Sequence, residues 1–142
     1  VVMGPPGWLH EATEAHIHRM RNQGVIRIPY VDRGTQLAII RGARMLTFPS
    51  LAEGFGLPVV EAMTLGTPVI TSKHGALVEV AEGAALHVEA TDVDALAYGL
   101  LRLASDDELH AELVARGKER ASFFAPARQA ERLRAAYDLA RG

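Results

Sequence analysis

The chain contains no cysteine. Disulfides, thiolate metal sites and a cysteine nucleophile are therefore excluded. No apolar run approaches the ~18 residues a membrane span needs. Charge of one sign is also missing: 15 Lys and Arg stand against 17 Asp and Glu, a net charge of −2. Nucleic-acid-binding domains are usually strongly basic, so no nucleic-acid partner is expected. Val1-Val2-Met3-Gly4 lacks the charged and apolar regions of a signal peptide, which makes the cytoplasm the expected compartment. An initiating Met is absent, and the chain opens directly in a strand-like run. A fragment of a longer protein is the expectation.

What is present is core-forming. The hydrophobic fraction is 49% and the charged fraction 23%, which excludes intrinsic disorder. The 142 residues are the length of one domain. Short apolar runs alternate with helix-period segments. Strands are expected at residues 1–3, 25–28, 45–48, 69–71 and 85–88. Turn residues separate them: Gly4-Pro5-Pro6-Gly7, Pro29, Pro49-Ser50 and Gly66-Thr67-Pro68. Leu9, Thr13, Ile17 and Met20 fall at helical spacing, and Gly24 offers a stop. Residues 37–40 form a short helix with Asp32 or Thr35 as cap, and residues 58–65 and 76–81 two more. From Asp92 onward the pattern is only helical. Asp92 caps one helix, Asp106 or Asp107 the next, and Pro126 opens a third.

Strands alternating with helices imply crossover units and a parallel sheet. The strands are Val-, Ile- and Leu-rich without polar alternation, as suits a sheet covered on both faces. The fold class is therefore α/β, Rossmann-like, with a C-terminal helical tail. Such sheets bind ligands at the carboxyl ends of their strands. The loops at residues 4–8, 29–33, 49–56 and 72–75 are the places to look.

One of these loops is unusual: Phe48-Pro49-Ser50-Leu51-Ala52-Glu53-Gly54-Phe55-Gly56-Leu57-Pro58. Two glycines flank a phenylalanine just before a helix. Glycine permits positive φ and close backbone approach. The N–H groups here sit where the helix dipole favours anions. A phosphate or a polyhydroxylated ligand is the natural occupant. Glu53 and Glu61 would repel a shared phosphate, so they better accept hydrogen bonds from hydroxyls on either side. A glycosyl diphosphonucleoside has that layout. Each feature also has a plainer reading: Glu53 as a solvated loop acid, Glu61 as an acid favoured by the dipole, the glycines as a tight turn.

The run Glu53-Gly54-Phe55-Gly56-Leu57-Pro58, closed by Glu61, resembles family 4 of the retaining glycosyltransferases. So do Arg41-Gly42-Ala43, Phe48-Pro49-Ser50, Glu61-Ala62-Met63, Gly66-Thr67-Pro68-Val69, Gly75-Ala76-Leu77-Val78-Glu79-Val80 and Thr91-Asp92-Val93-Asp94-Ala95-Leu96. The resemblance covers nearly the whole chain and keeps family order. It implies a fold of two facing Rossmann-like domains, with residues 1–142 the C-terminal, donor-binding one, lacking its first strand and helix. It implies a nucleotide-sugar donor and transfer with retained anomeric configuration. By the same resemblance Glu53 contacts donor-sugar hydroxyls and is the catalytic-site acid. Gly54, Phe55 and Gly56 offer N–H groups to sugar and phosphate, with Leu57 at the helix mouth. Glu61 binds the ribose, and Tyr30 and Val31 match the base-lining region. No metal or other cofactor is implied. The acceptor would be bound by an N-terminal domain absent here, and any peripheral membrane contact would come from that half.

Departures from the family are also legible. The Arg and Lys that neutralise the donor diphosphate would lie upstream of Val1, so the 142-residue chain alone is expected to be catalytically silent. Phe123-Phe124 stands where the family often has another aromatic pair, and Ile40 where tyrosine is common. Lys73 is the one cation on the strand-end rim, beside a loop histidine, His74. His16 and His18 are two apart and make no helical i, i+4 metal pair. Ser72 has no histidine–acid partner evident from spacing. Arg128, Arg132 and Arg134, interleaved with Glu131, suit a solvated helix or a domain contact. Two rival functions remain: another nucleotide-sugar enzyme of the same fold, such as an epimerase, and a non-catalytic interaction domain.

Overall fold

The computed structural model describes residues 1–5, 7 and 11–141. The expected turn residue Pro6 and the helix position Leu9 lie outside the described residues. All five expected strands form, and every strand pairing is parallel. The chain divides into two compact units, residues 1–36 and 37–142.

The first unit holds β1 (Val2–Met3), α1 (Glu11–Arg19), a 3-10 turn (Arg21–Gln23) and β2 (Arg27–Ile28). Strands β1 and β2 pair in register Val2 to Arg27 and Met3 to Ile28. Arg27 ties the unit together. Its Nη1 donates to the carbonyls of Gly4 (2.7 Å) and Ile28 (2.9 Å), and its Nε to Glu14 of α1 (2.9 Å). Helix α1 stops short of the expected glycine. The last turn tightens to 3-10, a common helix ending, and Gly24 (φ 87°) closes that turn instead.

Helix α2 (Arg33–Gly42) is longer than its four-residue apolar signal. Asp32 explains this: its carboxylate accepts from the Thr35 N–H at 3.0 Å and from the Thr35 hydroxyl, starting the helix early. Those bonds hold the Asp32 carboxyl below its ordinary pKa.

In the second unit the ladder order is β3 (Leu46–Phe48), β4 (Val69–Ser72), β5 (Leu86–Val88). β4 is central, and its four residues are all buried. Adjacent residues on a strand point to opposite faces. Val69 joins one apolar cluster, with Ile40, Val59, Met63, Leu77 and Val80. Ile70 joins another, with Val88, Leu103 and Leu113. The sheet is thus covered on both faces, as the unbroken apolar strands require. Helices α3 (Leu57–Leu65) and α4 (Ala76–Ala81) supply the first face. Helix α5 (Val93–Ser105) packs on the second, and α6 (Asp107–Ser122) gives Leu113 to one cluster and Ala121 to the other.

Gly117 lets α6 approach α3 closely, because a Cβ there would lie 3.2 Å from Met63 Cγ. Asp92 and Asp106 cap α5 and α6 as expected, each accepting an N–H three residues on at 2.9 Å. Helix α7 (Pro126–Arg141) opens at its proline and has no buried residue. No described helix is long and apolar enough to cross a membrane.

Candidate functional site

The carboxyl ends of β3, β4 and β5 lie side by side, with Phe48 opposite Thr71 and Ser72 opposite Val88. The loop leaving β3 carries the glycine motif and runs directly into α3. Leu57 rather than Pro58 is the first residue of α3, so the proline occupies the second position. No i−4 bond is lost there, because the first four N–H groups of a helix have no internal partner.

Gly56 is the hinge of this entry. Its φ is 91° and ψ 50°, a left-handed conformation that L side chains rarely adopt. It is also crowded: a Cβ there would stand 2.4 Å from Leu77 Cδ2 of α4. Helices α3 and α4 therefore meet at a point where only hydrogen fits. Gly54 differs. Its φ is not positive, and a Cβ there would meet nothing within 4 Å. The fold itself does not demand glycine at 54.

Among the described residues, no acceptor meets the N–H groups of Gly54, Phe55, Gly56 or Leu57. The Gly56 carbonyl accepts from Val59 N–H at 3.0 Å and begins the helix. Glu53 and Gly54 are exposed, as is Leu57 at 61%. Phe55 is 40% exposed and meets Phe124 edge-on, with ring centroids 5.5 Å apart and planes at 88°. Glu61 lies in the second turn of α3, ~6 Å along the axis from its first residue. It is half-buried, with Oε2 out of solvent.

Residues 53–57 and Glu61 thus share one connection, β3 to α3, in the second unit. Tyr30 and Val31 belong to the first unit, and Tyr30 is 81% exposed. The glycine loop lines neither of two cavities found elsewhere. One, of about 590 Å³, lies among Gly83, Arg116, Arg120, Phe123 and Arg128. The other, about 320 Å³, lies among Leu86, Glu89, Tyr98 and Arg102.

The rim beyond β4 is self-neutralised. Glu89 accepts from His74 Nε2 at 3.0 Å and pairs with Lys73 Nζ at 3.4 Å. The His74 hydrogen bond, aided by Lys73, holds the Glu89 carboxyl below its ordinary pKa. Lys73 is therefore committed to a carboxylate. Ser72 Oγ is buried with no partner among the described residues. His87 Nδ1 meets the Ser72 backbone carbonyl (3.2 Å), not its hydroxyl, so no Ser–His pair exists there. Among the described residues no group of three or more His, Asp or Glu could hold a metal ion.

Three contributors to the loop's setting had no such role in the sequence reading: Leu77 beneath Gly56, Phe124 (noted there only as part of an aromatic pair) against Phe55, and Arg120. The Arg120 guanidinium donates to the carbonyls of Val80 (2.9 Å) and Glu79 (2.6 Å) and pairs with Glu82 (2.8 Å). It also faces the rings of Phe123 and Phe124, at 4.8 and 5.1 Å from their centroids. The adjacent aromatics Phe123-Phe124, two residues before a proline, were the one visible signal.

Comparison with known proteins agrees with this arrangement. Residues 1–120 match the family described as glycosyl transferases group 1. An O-antigen chain mannosyltransferase B of Escherichia coli is 34% identical over 87% of this chain and 33% of its own length. A D-inositol 3-phosphate glycosyltransferase of Corynebacterium glutamicum is 32% identical over 97% of this chain and 34% of its own. The chain thus spans about a third of the length of these curated relatives. Among solved structures, sucrose-phosphate synthase from Thermosynechococcus elongatus superposes with a TM-score of 0.76, at 28% identity over 94% of this chain and 35% of that one. Anabaena HepE, solved in complex with UDP-glucose, superposes at 0.69 over 84% of this chain and 35% of that one, at 21% identity, a likeness of fold. With its parallel strands, its glycine-entered helix and a match over residues 1–120, the chain belongs to the glycosyl transferases group 1 family.

Proposed function

We propose that this chain is the donor-binding half of a retaining glycosyltransferase of family 4, taking a nucleotide-activated sugar. The observation that carries the reading is the set of amides at residues 54–57 that meet no acceptor among the described residues, which open a helix and have a carboxylate on either side. Amides of this kind suit phosphate and sugar oxygens. Acids suit hydroxyls, which donate. The open space at Gly54, which the fold does not require, suits close approach of a ligand to the backbone. The two relatives, a mannosyltransferase and an inositol phosphate glycosyltransferase, agree in class.

In this reading Glu53 accepts from donor-sugar hydroxyls, and the amides of Gly54, Phe55 and Gly56 hold sugar and diphosphate. Leu57 sits at the mouth of the helix. Glu61 accepts from the ribose, and Tyr30 and Val31 line the base. No protein nucleophile and no metal take part. The acceptor hydroxyl attacks on the face from which the diphosphate leaves, and that phosphate assists its deprotonation. Rate enhancement comes from stabilising the leaving group and the oxocarbenium-like sugar. Acceptor binding and the cations that balance the diphosphate are assigned to chain beyond these residues. The helix dipole alone contributes only ~0.3–1 kcal/mol towards an exposed anion.

Calorimetric titration of the natural protein with UDP, GDP and ADP tests this. One of them binds, and Glu61→Ala weakens it by about 10- to 150-fold, the loss of hydrogen bonds to a charged acceptor. Absence of binding to all three refutes the donor role and favours an interaction domain.

A further inference from the structure

We propose that Phe124 is a positioning residue for the glycine loop, fixing through the Phe55 ring the amides that meet the donor. The inference rests on the donor-binding reading above. Its starting point is how little else holds residues 51–55. Leu51 is 68% exposed, and Glu53 and Gly54 are exposed too. The amides of Gly54 and Phe55 have no described acceptor. Within the loop, Ser50 Oγ donates to the Ala52 carbonyl at 3.1 Å, a bond upstream of the motif. The Phe55 ring is therefore the side chain that anchors the motif, and its described aromatic partner is Phe124.

Phe124 is itself held on several sides. It packs against the core cluster that contains Val59 and Leu77. It meets Phe123 edge-on at 5.3 Å, and Arg120 stacks on both rings. Arg120 is in turn bound to the end of α4 through the Val80 and Glu79 carbonyls and Glu82. Arg132 of α7 lies over the Phe123 ring, 3.6 Å from its centroid. A well-held aromatic shelf at the end of α6 thus meets the least-held part of the site. Orienting amides before the ligand arrives lowers the ordering cost of binding.

The test uses the natural protein and the nucleotide that binds most tightly among UDP, GDP and ADP. Phe124→Leu keeps apolar bulk but removes the ring edge. It is expected to raise Kd by about 2- to 10-fold, the usual worth of an aromatic pair. Hydrogen exchange at the amides of Gly54, Phe55 and Gly56 should quicken without ligand, and Phe124→Tyr should restore both readouts. Phe55→Leu should match Phe124→Leu, and the double variant should be no worse than either. Wild-type affinity or wild-type loop exchange in Phe124→Leu, beside lost binding in Glu61→Ala, overturns the positioning role and leaves the donor reading intact. A wild-type protein that binds none of the nucleotides overturns both.

Discussion

Replacing Gly56 by alanine sets two separable penalties at one atom. The first is conformational. At φ 91° the added Cβ crowds the following carbonyl, which costs roughly 1–2 kcal/mol for a non-glycine residue. The second is steric. The new Cβ would stand 2.4 Å from Leu77 Cδ2, far inside contact distance. Leu77 is only 1% exposed and packed in the main apolar cluster, so its end cannot swing into solvent. Forcing an extra carbon into a packed interior costs about 1–3 kcal/mol. Gly56→Ala should therefore destabilise by roughly 2–5 kcal/mol, a large share of the ~5–15 kcal/mol typical of a domain. Urea unfolding followed by circular dichroism measures it. A cycle with Leu77→Ala separates the terms. In that background the clash is gone, and Gly56→Ala should cost only the roughly 1–2 kcal/mol of backbone strain. If Gly56→Ala lies within 0.5 kcal/mol of wild type, a change no larger than that of a typical surface substitution, the reasoning fails. Equal cost in both backgrounds would dismiss the steric half alone.

Two further expectations concern the supports of the fold. Asp106→Ala removes the carboxylate that accepts the Leu109 N–H and should cost about 1 kcal/mol, seen as a fall in Tm, whereas Asp106→Asn should retain most of it. Glu89 titrates below its ordinary value because His74 and Lys73 favour its ionised form. Its contribution to stability is thus complete above about pH 4.5 and is lost as the pH falls through the folded-state pKa. Unfolding curves of wild type and Glu89→Gln should differ at neutral pH and converge in acid. A gap that persists below that range would mean the carboxylate is not responsible.

The places where sequence and structure part company have physical causes. Strand existence was legible because buried parallel strands are continuous apolar runs. Strand ends were not, because they depend on partners. Met45 reads as strand by composition, yet the ladder begins at Leu46, opposite Val69. Helix α2 was underestimated because its apolar stripe is short, while its beginning is set by Asp32 and Thr35 through polar bonds that leave no hydrophobic period. Arg27 in a two-residue strand could not be read as a tie, since Gly4 and Glu14 are brought to it only by folding.

The candidate site divides along the same line. The glycines, the two acids and the helix start are consecutive in the chain, so their shared geometry is a local property that spacing can express. What holds the loop is not local: Leu77 comes from α4 and Phe124 from the end of α6. The sequence motif therefore carries the atoms that the proposed reading assigns to the ligand, whereas the contacts that hold the loop come from elsewhere in the chain. The charge of the site follows the same logic. Glu53 and Glu61 add negative charge to the connection that offers the amides. The rim's Lys73 is already paired to Glu89, as is His74. With roughly half an elementary charge at the α3 terminus, a diphosphate bearing two or more negative charges stays largely uncompensated by this connection. In the proposed reading, hydroxyl-to-carboxylate bonds and amide contacts select the donor here, but balancing its phosphates calls for cations that residues 53–61 do not contain.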